Sequence, residues 1–188
     1  MKSLTAIMLT CALAAVACGD GRGAAPTPRR HAYPRPELYD SCYTQAQQAP
    51  VAWAVCCGAV CTADSGGRWL TADYPLYNAR IYITFTPAAD SAAIAAAIAN
   101  RRQRISLNLA GAPATTTHVA SADGSFDAAL VEAPGTTMPL QFVATDGHSM
   151  VVSGAVHTDT AEPYDSVRPT VEALRRDIGV ALRNLRRI

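Results

Sequence analysis

The chain has 188 residues, with 16 basic and 15 acidic side chains, six cysteines and only 6% aromatics. That length suits one domain of ordinary size. A charged fraction of 16% beside 49% hydrophobic residues, with a formal net charge of +1, excludes wholesale disorder and the strongly basic balance of a nucleic-acid binder.

Lys2 is the only lysine, and it precedes an apolar run from Leu4 to Ala17 that ends in Ala15-Val16-Ala17-Cys18. A basic start, a short apolar stretch and small residues before a cleavage point make a secretory signal. The run falls short of the ~20 residues of a membrane span. Its last four residues resemble a bacterial lipobox, with Ala15 standing where leucine is commonest. That resemblance implies cleavage before Cys18 and lipidation of its thiol, so the membrane is a partner through an anchor rather than a spanning segment. Gly19 stands where an aspartate would resemble an inner-membrane retention signal, and no acidic cluster resembling an export signal follows. The expected address is the outer membrane, facing the periplasm. Cleavage removes Lys2 and leaves basic and acidic side chains equal in number, which argues against polybasic lipid binding.

Residues 1–17 are thus read as signal, and 18–36, rich in Gly, Ala, Pro and Arg, as lipidated Cys18 and a tether. Residues 37–188 are read as a single folded domain. Its cysteines are Cys42, Cys56, Cys57 and Cys61. Four thiols in an oxidising compartment suggest two disulfides, Cys42 with one of Cys56 and Cys57, and Cys61 with the other. On one extended strand Cys57 and Cys61 would lie ~13 Å apart, beyond the ~7 Å limit of a bridge. A local bridge therefore needs a turn at Gly58. A tetrathiolate zinc site is the rival, without a paired two-residue spacing in each half. Asp64-Ser65-Gly66-Gly67 resembles the strip around a trypsin-like nucleophile. A serine there needs a histidine base held by an aspartate, and a glycine-rich turn is the simpler reading.

Ala79–Phe85 is the clearest strand, with Ile81, Ile83 and Phe85 alternating with polar positions. From about Ala88 to Leu109 alanine dominates, and Ile94, Ile98, Ile105 and Leu109 form a helical stripe with Arg101, Arg102 and Arg104 mostly off it. Strands are expected over Thr115–Ser121, Phe126–Ala133, Leu140–Thr145 and Ser149–Thr158, with turns at Asp123-Gly124 and Asp146-Gly147-His148. A last helix over Ser166–Leu185 takes Asp165 as its cap and Pro169 in its first turn. Arg183, Arg186 and Arg187 then complement its C-terminal dipole. This order predicts an α+β fold, a sandwich of a mainly antiparallel sheet with flanking helices. The histidines are too few and too separated for a metal constellation, and no nucleotide or metalloprotease motif occurs. No cofactor is expected.

The ordered residues Tyr33-Pro34-Arg35-Pro36, Trp69, Tyr74-Pro75 and Ile81-Tyr82 lead into a longer match. It runs through Gln141-Phe142, Thr145-Asp146-Gly147, Gly154-Ala155, Pro163, Asp165-Ser166, Pro169 and Asp177-Ile178. Together they are similar to the gliding-motility-associated lipoprotein GldD family of Bacteroidota. The resemblance covers most of residues 33–188, is strongest from Leu140 onward, and departs from the family pattern between Asp40 and Arg68. It implies an outer-membrane lipoprotein linked to gliding motility and type IX secretion, and by looser analogy the sandwich of photosystem P proteins and Mog1-like proteins. It brings no catalytic residues.

The reading that follows is a non-enzymatic component or assembly factor of a cell-envelope machine, with protein partners and no nucleic acid. Its candidate interaction surface is Tyr33, Arg35, Asp146, His148, Asp159 and Tyr164. Two other classes stay open. A small-ligand binding module would need an apolar pocket between sheet and helices, and a hydrolase or thiol-redox enzyme would use Ser65 or Cys56 and Cys57.

Overall fold

The alternation of Ile81, Ile83 and Phe85 with polar neighbours extends, strand after strand, across a whole sheet. The computed structural model describes residues 38–158 and 164–188; the signal, Cys18 and the tether lie outside them. In chain order the strands are β1 (Tyr43–Gln45), β2 (Val51–Ala52), β3 (Ala54–Cys56), β4 (Val60–Ala63), β5 (Trp69–Tyr74) and β6 (Ala79–Pro87). After helix α1 (Ser91–Leu109) come β7 (Thr115–Ala120), β8 (Asp127–Glu132), β9 (Leu140–Thr145) and β10 (Met150–Thr158). Helix α2 (Tyr164–Arg183) and β11 (Arg186–Arg187) close the chain.

Strands β4 to β10 form a seven-stranded sheet in the order β4-β5-β6-β10-β9-β8-β7, antiparallel at every described pairing. Two meanders, β4–β6 and β7–β10, meet where β6 pairs with β10 over nine residues, from Ala79 opposite Thr158 to Pro87 opposite Met150. The chain leaves β6 at the middle and must re-enter at the β7 edge, four strand spacings or ~19 Å away. Helix α1, ~28 Å long at 1.5 Å per residue, makes that crossing. Asp90 caps it, accepting from Ala93 N at 2.7 Å, and Ala110 ends it in the left-handed region. The tight turns at Asp123-Gly124 and Asp146-Gly147 use glycines with φ of 70° and 71°, which a side chain would resist.

Period-2 alternation sends alternate residues to opposite faces. One face carries Leu70, Tyr74, Ile81, Ile83, Phe85, Leu130, Leu140, Phe142, Val152 and Val156, and packs against Val171, Leu174, Ile178 and Leu182 of α2. This is the main core. The other face packs Val143, Val151 and Ala129 against Ile94, Ala97 and Ile98 of α1. On β4 to β6 the same face leaves Val60, Trp69 and Tyr82 exposed. The α+β expectation is met: two helices pack on a seven-stranded antiparallel sheet.

The N-terminal part of the domain is a strap over the α2 side. Strands β1 and β3 pair with each other, and β2 pairs with β11. Trp53, between β2 and β3, stacks on Phe142 with ring centroids 5.3 Å apart. The Phe142 ring in turn lies over Gly154, where a Cβ would sit 2.5 Å from Phe142 Cζ and from the Tyr82 carbonyl oxygen. The last helix departs from expectation at both ends. It begins at Tyr164, so Asp165 lies inside its first turn rather than capping it, and Pro169 falls within the helix. Arg186 and Arg187 leave the helix altogether and extend as β11.

Candidate functional site

The predicted interaction surface divides on inspection. Cys18, Tyr33, Arg35 and Asp159 lie outside the described residues, and Tyr164 is the first residue of α2. His148 is exposed at the tip of the β9–β10 hairpin. Asp146, two residues earlier, has a side chain with no exposed area. Its Oδ1 accepts from the backbone N–H groups of His148, Ser149 and Met150 at 2.8–2.9 Å. Its Oδ2 accepts from the Ser149 hydroxyl at 2.9 Å and from Arg187 Nε and Nη2 at 3.0 and 2.7 Å. Burial by itself pushes the pKa of this carboxyl up, but the donors from Ser149, His148 and Met150 overcome it and hold the group well below the usual carboxylate range. Asp146 therefore closes the hairpin and pins the C-terminus to it. His148 and Asp146 stand two residues apart, yet only His148 offers its side chain to a partner.

The cysteines follow the register of β1 and β3. Tyr43 lies opposite Cys56, which brings Cys42 opposite Cys57 with Cα atoms 5.4 Å apart, and these two are bridged. Successive strand residues face opposite ways, so Cys56 turns into the core while Cys57 turns out to Cys42. The second bridge expected for Cys61 is not formed: Cys56 is a buried free thiol and Cys61 an exposed one on the edge strand β4. The turn at Gly58 does form, with Ala59 N donating to the Cys56 carbonyl at 3.0 Å. It reverses the chain without bringing the two sulfurs into a bond. With Cys42 and Cys57 joined, a four-thiolate zinc set is not available. No group of three or more metal-ligating side chains occurs among the described residues.

Beside Cys56 lies a tyrosine cluster. Tyr39 meets Tyr77 edge-on at 5.0 Å, and Tyr74 stacks on Tyr77 at 5.8 Å. The Tyr43 hydroxyl donates to Asp177 Oδ1 at 2.7 Å. Burial first, and then the bond to Asp177, push Tyr43 up to about 12. Burial also raises the Asp177 carboxyl above its ordinary range, against the bond from Tyr43 and the nearby Arg176. This network fastens the strap to α2. Ser65 sits in an exposed turn whose acceptor is its neighbour Asp64, bonded by Arg68 N and Trp69 N at 2.6 and 2.9 Å. No described hydrogen bond links Ser65 to a histidine, so the glycine-rich turn is the reading the geometry supports.

Two crevices open on the α1 face. The larger, about 370 Å³, lies at the β5–β6 turn and contains Arg80, whose guanidinium is paired with Asp73. The second, about 200 Å³, lies between the C-terminal half of α1 and strands β6, β9 and β10. Arg101, Arg104, Ile105 and Asn108 form its helical wall. Tyr82, Thr84, Gln141 and Ser153 form its floor, with Met138 and Ala155 supplying apolar edges. Arg101 belongs to the inward stripe after all, a turn from both Ile98 and Ile105, and is half-buried there. Asn108 Nδ2 donates to Gln141 Oε1 at 2.7 Å. Gln141 is 2% exposed, and its Nε2 has no partner among the described residues. The apolar spacing of α1 concealed this site; its signal is Arg101 and Asn108 recurring at the same helical interval as the isoleucines.

Among the described residues no helix is long and apolar enough to cross a membrane. A family model described as gliding motility lipoprotein GldD matches residues 23–186. No curated protein matches the chain.

Proposed function

The chain belongs to the gliding motility lipoprotein GldD family, and on that premise we propose that it is a non-enzymatic component or assembly factor of a gliding and type IX secretion machine. The lipoprotein family makes it a membrane-anchored motility protein. In our reading the anchor is the lipid on Cys18, residues 1–17 are the discarded signal, 18–36 the tether, and 37–188 a domain facing the periplasm from the outer membrane. The match over residues 23–186 is the observation that carries this function, since it spans nearly all of the tether and the domain. The pinning of Asp146 and the plain turn at Ser65 support a scaffold rather than a reaction centre. The contact surface includes His148, with Tyr33, Arg35, Asp159 and Tyr164 as its further members.

Deletion in the source organism is expected to abolish surface spreading or type IX cargo release. Crosslinking in intact envelopes is expected to recover the same protein partners reproducibly. Normal movement and secretion in the deletion strain, with the protein recovered alone from wild-type envelopes, would sink the proposal. Replacement of the lipidated thiol (Cys18→Ser) is expected to remove metabolic palmitate label from the protein and release it from the membrane pellet.

A further inference from the structure

We propose that the crevice between α1 and the sheet binds a small organic anion, through a carboxylate or phosphate head held by Arg101 and Arg104 and a short apolar body lying against the sheet. The inference goes beyond the motility role and does not depend on it.

Charge is the first argument. Arg101 and Arg104 stand one turn apart on the same wall, and neither has an ion pair or hydrogen bond among the described residues. No aspartate or glutamate lines the crevice. Burial, and then the charge of Arg104, make Arg101 easier to deprotonate than an ordinary guanidinium. Two like charges one turn apart, Arg101 half-buried and Arg104 exposed, carry an electrostatic cost that a bound anion removes. The neighbouring crevice makes the contrast, because its Arg80 already has Asp73.

The second argument is the orphan donor. Gln141 is buried on β9, and its amide oxygen accepts from Asn108 while Nε2 finds no acceptor among the described residues. A buried donor without an acceptor costs about 1–3 kcal/mol, and native interiors rarely leave one without a reason. Gln141 lines the same crevice as the two guanidiniums, so one negatively charged head group answers all three donors. Tyr82, Thr84 and Ser153 add hydroxyls to the floor. Ile105, Met138 and Ala155 give the body of a ligand an apolar surface. The volume of about 200 Å³ is below the roughly 300–1,000 Å³ of sites for drug-sized ligands. It suits a molecule the size of an amino acid or a short-chain acid.

Calorimetric titration of the full mature lipoprotein in detergent tests this, with hexanoate, hexyl phosphate and neutral hexanamide as probes. At least one anion is expected to bind saturably at one site per chain, and hexanamide at least tenfold more weakly. The tighter of the two anions identifies the head group. Arg101→Gln and Arg104→Gln are each expected to weaken binding tenfold or more. Gln141→Leu is expected to weaken it several-fold. Arg102→Gln, on the exposed side of α1, is expected to leave it unchanged, and thermal melts of each variant verify folding. If neither anion binds the wild-type chain, or hexanamide binds equally well, the proposal is overturned whatever the variants do. Equal loss in Arg102→Gln would also overturn it, since the effect would then be general charge rather than the crevice.

Discussion

Asp146 shows how much a single buried carboxylate organises here. It accepts three backbone N–H groups, a serine hydroxyl and the Arg187 guanidinium. Asp146→Ala strands the three N–H donors and releases Arg187, and is expected to cost about 3 kcal/mol in urea unfolding. The same carboxyl sets an acid limit. Its folded pKa lies below the unfolded one, so its contribution is complete above the ordinary carboxylate range and fades as pH falls through and below it. Asp177 works in the opposite sense, because burial raises its folded value. Its proton is held more tightly in the folded chain, so stability declines as pH rises through the window just above the ordinary range. Unfolding curves across acid pH are expected to lose their lower limb in Asp146→Asn and to flatten above it in Asp177→Asn. Gly154→Ala sets a Cβ against Phe142 and the Tyr82 carbonyl. It is expected to lower stability by about 3 kcal/mol, a fall of roughly 10 °C in Tm for a domain of this size.

Elements differ in how openly the chain announces them. Strands β6, β9 and β10 are legible because each is long enough to repeat its alternation and is bounded by Pro87 or an Asp-Gly turn. The strap is not. Strand β2 is two residues long and finds its partner at Arg186–Arg187, so no local pattern reveals it. Pro169, which a helix tolerates in its first turn, set the expected start of α2 at Ser166, two residues after the observed one at Tyr164. The strap also decides the cysteine chemistry, which spacing alone left open. Iodoacetamide is expected to modify Cys61 in the folded chain and Cys56 only on unfolding, with Cys42 and Cys57 labelled only after reduction. Rapid native labelling of Cys56 would contradict its place in the core.

At the scale of the whole molecule, one sheet serves two unequal faces. The α2 face holds the large side chains Phe142, Leu174, Ile178 and Leu182, and was foreseeable from period-2 and helical patterns together. The crevice on the other face was not, because Arg101 and Asn108 interrupt an apolar stripe in a way that reads as surface until the sheet beneath supplies Gln141. Family membership, in contrast, was legible from ordered short motifs spread along the chain, chiefly after Leu140.

The fastening of α1 has a thermodynamic consequence. Among the described residues its attachment rests on Ile94, Ala97 and Ile98 against Val143, Val151 and Ala129, a contact of small groups burying little area. Detaching α1 therefore costs less than unfolding the sheet, and the molecule has a partially open state below its global one. Hydrogen–deuterium exchange is expected to show the α1 amides exchanging well ahead of those in β6, β9 and β10. An occupant wedged between helix and strands would close that gap, so the exchange rate of α1 is a gauge of occupancy that requires no knowledge of the occupant.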